Sequence, residues 1–190
     1  MRRGSGAFAR MLDQEGVWCY PFAGGLTLEH SDGMWHFGAF SSPEAKAEAG
    51  HMWVRVPPFQ VIDIALPFQG WESGIQCHFE GPVVSEISTP YGATERELFD
   101  GEYLTDLGAG KTDRTRAQRL IEDNLRFMER FQAFTVFHHR LNLHYVPVGT
   151  KMSPVGLQEM TWPVLNGMDP SELYEDFKSR QAAGANGSWL

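Results

Sequence analysis

Cysteine is scarce in this chain, and long apolar runs are missing. The 190 residues include two cysteines, Cys19 and Cys77, which allow at most one disulfide and no cysteine-rich metal motif. No apolar run is long enough for a membrane span, and residues 1–15 lack the apolar stretch of a secretory signal. We therefore expect no membrane association, and a cytoplasmic protein or a component of a particle assembled in the cytoplasm.

Basic residues are also few relative to acidic ones. The 16 Lys and Arg residues against 24 Asp and Glu residues give a formal net charge of −8. Residues 1–110 carry 6 basic and 15 acidic residues, a net charge of −9, whereas residues 111–190 are nearly neutral. This balance argues against general nucleic-acid binding. A basic protein surface would bind the first part of the chain in preference.

Signature motifs of common enzyme classes are absent as well. The chain contains no H-E-x-x-H, C-x-x-C or G-x-S-x-G pattern. The segment GAGKT at 108–112 matches only the end of a phosphate-binding loop, because Thr105 stands where that loop requires glycine. Neither nucleotide binding nor a cofactor is expected, and a turn before a helix is the simpler interpretation.

The chain is rich in short apolar segments separated by glycine and proline. Such segments recur about every ten residues in the first ninety positions, a spacing typical of antiparallel hairpins. The pattern predicts an α+β fold with a mainly antiparallel sheet, or a partly closed barrel, of about seven or eight short strands. The candidate strands are residues 17–22, 25–30, 34–40, 51–56, 60–66, 74–80 and 82–88.

Two helices are predicted to accompany this sheet. Apolar residues recur at helical spacing from about 113 to 136 with charged residues opposite, which gives a wide apolar face suited to packing on a sheet. Asp169, Pro170 and Glu172 are typical of a helix start, so a C-terminal helix is predicted from 170 to about 182.

The chain is expected to form three units: an N-terminal arm at 1–15, a β-rich core with the long helix at 16–146, and an extended connection, C-terminal helix and tail at 147–190. The arms and the Pro- and Gly-rich connection at 146–168 have the composition of partner-binding segments. We expect a structural or interaction subunit of a larger assembly, such as a viral or phage particle or a multi-subunit complex, in homo- or hetero-oligomeric contact. The candidate contact residues are Arg2, Arg3, Met152, Met160, Trp162, Trp189 and Leu190.

The segment TVFHHRLNLHYVPVG holds three of the seven histidines of the chain. The β-branched Thr135 and Val136 and the alternation that follows predict one continuous strand, in which His138, Arg140 and His144 share one face and His139 lies on the packed face. His138 and His144 would then be about 20 Å apart along the strand, too far to bind one metal ion together. The segment therefore predicts no metal site of its own.

The same polar face supports a second hypothesis, a small enzyme or ligand-binding protein with a polar pocket in a curved sheet, with metal assistance as one variant. His78 and Glu80 share a face of another predicted strand. Together with His138, Arg140 and His144 they would supply acid, base and anion-binding groups. An ordinary solvent-exposed sheet face shows the same alternation, so both interpretations stay open.

Asp63 is a carboxylate in the apolar segment VIDIAL, which is predicted to be a central strand. A buried carboxylate must be paired or protonated. Pairing with an arginine such as Arg55 is the favoured interpretation, and a functional acid is the alternative.

Overall fold

The fold is α+β, with eight antiparallel strands in a curled sheet that forms half of a barrel. The computed structural model confirms the fold class expected from the sequence. The parts of the chain that the structure describes are residues 2–31, 33–40, 50–68, 79, 81–94, 97–99, 101–110, 113–150, 154–161 and 167–182.

The elements follow one another with short connections. The strands are β1 (Tyr20–His30), β2 (Gly33–Phe37), β3 (His51–Val56), β4 (Phe59–Asp63), β5 (Val83–Ser85), β6 (Thr89–Pro90), β7 (Phe134–His138) and β8 (Leu141–Thr150). The helices are α1 (Arg2–Gln14), α2 (Gly101–Gly108), α3 (Arg114–Met128) and α4 (Pro170–Ala182), with short 3₁₀ turns at Leu66–Phe68 and Leu157–Glu159. None of the helices described here is long and apolar enough to cross a membrane.

Strand β1 lies in the middle of the sheet, whose order is β5-β4-β3-β1-β8-β7-β6. The first half of β1 pairs with β3, its second half pairs with β2 along the same edge, and β8 pairs along the other edge. The candidate strands 17–22 and 25–30 are therefore parts of one strand. Of the candidate strand 74–80, only residue 79 lies within the described residues.

The two faces of the sheet carry separate apolar clusters. One face, here called the Trp53 face, carries the larger cluster, whose buried members are Phe22, Leu26, Leu28, Trp53, Val61, Leu66, Phe79, Val83, Val136, Leu141, Leu143 and Tyr145. The opposite face, here called the His144 face, carries Val146, which packs against Ala117 and Ile121 of α3. Each fully buried large apolar side chain stabilises the fold by about 1.5–3 kcal/mol, so these clusters hold the sheet and helices together.

Helix α3 begins where the sequence predicts it and ends earlier. Asp113 caps the helix by accepting a hydrogen bond from the Thr115 amide at 2.8 Å. The helix ends at Met128, so the predicted end near 136 is wrong. Phe131 and Phe134 continue the helical apolar spacing, but they pack on the Trp53 cluster from the following turn and from β7.

Helix α4 matches the predicted range of 170 to about 182. Its first turn forms the expected cap, because the Asp169 carboxylate accepts hydrogen bonds from the Ser171 and Glu172 amides, both at 2.9 Å. The Glu172 carboxylate accepts a hydrogen bond from the Asp169 amide at 3.0 Å in return. This reciprocal bonding satisfies amide groups that a helix start leaves without partners.

The segment 1–15, predicted to be an arm, contains α1, which packs against the sheet. The Ser5 hydroxyl donates a hydrogen bond to the Met52 carbonyl of β3 at 2.8 Å. At the other end of α1, Glu15 accepts hydrogen bonds from Tyr174 and Lys178 of α4. The division of the chain into three units stays a prediction.

Candidate functional site

The histidine-rich segment forms a hairpin, because the chain reverses at His139 and Arg140. Both residues have left-handed backbone angles, with φ of 44° and 72°. The prediction of one continuous strand is wrong, and the predicted faces change with it. His138 pairs with Leu141 on the Trp53 face, whereas His144 lies on the opposite face. A two-residue hairpin turn usually contains Asn or Gly, and neither residue type stands at 139 or 140 to indicate the turn.

The structure does not bring His138 and His144 together. The His138 ring stacks on Phe79 with 6.0 Å between ring centroids. Burial lowers the pKa of His138, and the charge of His139 lowers it further. Arg140 is exposed at the hairpin turn. The other two candidate residues, His78 and Glu80, lie outside the described residues.

The predicted contact residues lie mostly outside the described part of the chain. Met160 is buried and packs with Ala7 and Leu157, so it supports the fold rather than a surface. Arg2 and Arg3 belong to α1, but their side chains are not among those described. Met152, Trp162, Trp189 and Leu190 lie outside the described residues. The assembly hypothesis stays a prediction.

Within the described part of the chain, a buried network of hydrogen-bonded side chains surrounds Asp63 in the core. His51 Nε2 donates a hydrogen bond to Asp63 Oδ2 at 2.5 Å, and Tyr145 Oη donates to the same oxygen at 3.1 Å. The amides of Ala65 and Leu66 donate to Oδ1 at 3.1 and 3.3 Å. The favoured interpretation of Asp63 as the partner of an arginine is therefore wrong, because a histidine and a tyrosine pair with it instead.

These side chains are almost completely withdrawn from solvent. The side chains of His51 and Asp63 are 1% and 0% exposed, and Tyr145 is fully buried. Four donors around one carboxyl group are the pattern of an ionised carboxylate. Burial raises the pKa of Tyr145 well above its usual range, and the negative charge of Asp63 raises it further. The tyrosine hydroxyl therefore keeps its proton and remains a donor.

Asp63 also determines the tautomer of His51. Because Nε2 carries the proton that is donated to Asp63, Nδ1 is the nitrogen left with a lone pair when the ring is neutral. Nδ1 makes no hydrogen bond with any described residue. The bond to Asp63 therefore holds the His51 ring in one orientation and leaves Nδ1 as the nitrogen that can accept a proton.

Local features of the strands make room for this network. Gly24 of β1 pairs with His51, and a Cβ at Gly24 would lie 2.0 Å from the Val146 carbonyl and 2.8 Å from the Trp53 ring. Only glycine allows this close approach. The Trp53 ring packs beside His51, with 6.4 Å between centroids, and its buried Nε1 has no hydrogen-bond partner within the described residues.

Helix α1 begins beside the same strand. The Ser5–Met52 hydrogen bond places the first turn of α1 against β3 at the residue that follows His51. The first turn of a helix has free backbone amides and carries a partial positive charge. A negatively charged group is favoured in such a place.

A second group of histidines lies on the His144 face. His36, Thr27, His144 and Thr135 are paired in that order across β2, β1, β8 and β7. Each histidine Nδ1 bonds one threonine hydroxyl at 2.8 Å, Thr27 for His36 and Thr135 for His144. His36 Nε2 donates to the Phe99 carbonyl at 3.0 Å, which fixes its tautomer.

His144 has a carboxylate partner of its own, Glu29. His144 Nε2 and Asn142 Nδ2 both donate to Glu29 Oε2 at 3.3 Å. Both hydrogen bonds lower the pKa of Glu29, and the bond from Asn142 has the larger effect. The Tyr91 ring stacks on His144 at 4.2 Å, and burial together with its hydrogen bond to Glu97 raises the pKa of Tyr91 to about 12.

Neither group forms a metal-binding cluster, since the described residues contain no set of three or more His, Cys, Asp or Glu side chains placed to hold a metal ion. Cys19 lacks the features of a reactive thiol. Its Sγ lies 3.8 Å from the Ala9 carbonyl, and burial followed by the charge of Asp13 raises its pKa. A thiol in that setting stays protonated at neutral pH. Cys77 lies outside the described residues.

Comparison with known proteins identifies no relative: no family model, no curated protein and no solved structure matches this chain. The function must therefore be inferred from the chemistry of the described side chains.

Proposed function

We propose that this chain is a small enzyme that catalyses a hydrolytic or acyl-transfer reaction, with His51 as the residue that transfers protons. The observation that carries the proposal is the 2.5 Å hydrogen bond between His51 and Asp63. A carboxylate bonded to one ring nitrogen orients an imidazole and stabilises the imidazolium that forms when the other nitrogen takes a proton. The proposal keeps the enzyme hypothesis raised by the sequence, but it assigns the chemistry to His51 and Asp63 and not to the residues predicted for it.

The two nitrogens of His51 would have separate roles. Nε2 holds the ring against Asp63, and Nδ1 takes the proton of the nucleophile and later returns it to the leaving group. Asp63 keeps its position because Tyr145 and the Ala65 and Leu66 amides also bond it. A base fixed by this many contacts is oriented before substrate arrives.

The start of α1 supports the choice of reaction class. Attack on a carbonyl places negative charge on oxygen, and backbone amides at a helix start stabilise such a charge. The first turn of α1 lies against β3 next to His51. The proposal therefore pairs His51 with the helix start that contacts β3 one residue farther along the strand.

The nucleophile is water or a side chain outside the described residues. The Ser5 hydroxyl donates to the Met52 carbonyl and not to a histidine, and Cys19 is a protonated thiol. Because the side chain of His51 is only 1% exposed, turnover also requires a motion that admits substrate to Nδ1.

The test is a screen of the purified chain against activated esters, thioesters and amides. We expect measurable turnover, and a loss of about 10²–10⁴-fold in kcat for His51→Gln, the usual contribution of a general base. The matched control is His144→Gln, which removes a histidine with a carboxylate partner on the opposite face and should retain wild-type turnover. Circular dichroism and thermal unfolding show whether each variant is folded.

Two results would contradict the proposal: no turnover of any substrate class, or a folded His51→Gln variant with wild-type kcat. Intact-mass analysis during turnover then separates the two nucleophiles. A covalent acyl adduct identifies a side chain, and its absence during steady turnover identifies water.

A further inference from the structure

A cleft of about 370 Å³ opens on the Trp53 face, away from His51. It lies where β1 and β3 meet the turn between α3 and β7. Its principal lining residues are Phe22, Arg55, Gln60, Phe131, Phe134 and Pro147. The cleft is separate from the proposed catalytic site. His51, Trp53 and Arg55 occupy every second position of β3 and share one face, so Arg55 lies about 13 Å from His51 along the strand.

Arg55 supplies a partly buried positive charge to this cleft. Its side chain is half-buried, and its guanidinium forms no hydrogen bond or ion pair with any residue in the described ranges. A partly buried cation without a partner is costly, and a bound anion would remove that cost. The planar guanidinium fork matches the two oxygens of a carboxylate better than it matches a single acceptor.

The walls of the cleft are aromatic. Phe22 and Phe131 meet edge to face with 5.2 Å between ring centroids, and Phe134 stacks on Tyr145 at 5.3 Å behind the cleft. Rings held by such packing offer flat apolar surfaces to another ring. Arg130 and Glu129 also line the cleft, and both are exposed, so Arg55 supplies the less hydrated charge.

We infer that this cleft binds a small aromatic carboxylate, with Arg55 holding the carboxylate and the phenylalanine rings holding the aromatic group. A volume of about 370 Å³ is at the lower end of the range for small-molecule sites, which limits the ligand to about one ring. The site is independent of the proposed catalysis and does not require it.

The test compares phenylacetate with phenylacetamide, which has nearly the same shape and no charge. Ligand-observed NMR titration suits the millimolar affinity expected of so small a ligand. We expect phenylacetate to bind, and phenylacetamide to bind about tenfold more weakly or worse, as loss of a charge-assisted hydrogen bond implies. Arg55→Gln should weaken phenylacetate binding to the same extent.

The matched control is Arg130→Gln, which removes the exposed arginine of the same cleft and should change the affinity less than Arg55→Gln does. Arg55→Lys keeps the charge without the fork and should bind with intermediate affinity. Thermal unfolding confirms that each variant is folded. Absence of phenylacetate binding to the wild type, equal binding of the amide, or undiminished binding to folded Arg55→Gln would overturn the inference.

Discussion

Among the described residues, the sheet holds two histidine–carboxylate pairs, one on each face, and they differ in environment rather than in chemistry. In both pairs the histidine Nε2 donates to the carboxylate. The His51–Asp63 distance is 2.5 Å with both side chains buried, whereas the His144–Glu29 distance is 3.3 Å and the Glu29 side chain is 49% exposed. The same two functional groups therefore form a rigid core element in one place and a solvated surface contact in the other.

The difference lies in what surrounds each carboxylate. Asp63 accepts hydrogen bonds from four donors in the core, whereas Glu29 accepts from His144 and Asn142 beside solvent. Water competes for an exposed carboxylate and screens its charge, but no water replaces a lost partner in a dry core. Removing a carboxylate should therefore have very different costs on the two faces.

The largest effect is expected from Asp63→Ala. The substitution leaves His51, Tyr145 and two backbone amides without their acceptor in the core. We expect the free energy of unfolding to fall by about 3–5 kcal/mol, the usual cost of breaking a buried pair by removing one partner. Urea denaturation followed by far-UV circular dichroism measures the change. Glu29→Ala is the control and should cost much less; equal losses in the two variants would show that burial does not separate the pairs.

A smaller loss is expected from Tyr145→Phe. This change removes one of the four donors to Asp63 and keeps the ring that packs on Trp53. We expect a loss of about 1–3 kcal/mol, the cost of leaving a buried polar group with one bond fewer. Urea denaturation gives the value. Tyr91→Phe removes a tyrosine hydroxyl that bonds Glu97 in a less buried place, and a loss from it as large as that from Tyr145→Phe would contradict the comparison.

The smallest effect is expected from Glu29→Gln. The pair is solvated, so we expect a loss below about 1 kcal/mol near neutral pH, reduced further by 1 M salt. Because the folded protein lowers the pKa of Glu29, this contribution is present above the ordinary glutamate pKa and disappears as pH falls through the lowered value. Urea denaturation of the wild type and of Glu29→Gln over a series of pH values from 7 downward should give a difference at pH 7 that disappears in acid. A difference that does not change with pH across this series would show that charge is not its source.

Much of the fold could be predicted from the sequence, because local signals agree with the final structure. The Asp169 cap defines the start of α4, and alternation of apolar and polar residues indicates most strands. The missed junction in β1 has a physical reason: Gly24 and Gly25 look like a break, yet they are glycine because carbonyl oxygens of Val146 and Glu97 approach within 2.0 and 2.2 Å of where a Cβ would stand.

The candidate site could be predicted only in part. Asp63 stands out as a carboxylate in an apolar strand, but its partner depends on strand register. Val54 pairs with Ile62, and His51 and Arg55 both lie on the face of β3 that Asp63 shares. Sequence spacing cannot choose between them. Tyr145 comes from β8, which β3 and β1 separate from β4, and no local pattern indicates that contact.

The short strands at the two ends of the sheet order have a consequence for self-association. A half-barrel leaves its rims open, and an unpaired rim can recruit a strand from another molecule. Here β5 has three residues and β6 has two, and the second residue of β6 is Pro90, which has no amide hydrogen to donate. These two rims therefore offer little template for strand addition, whereas β2, with five residues, also has one partner among the described strands and is the longer exposed template.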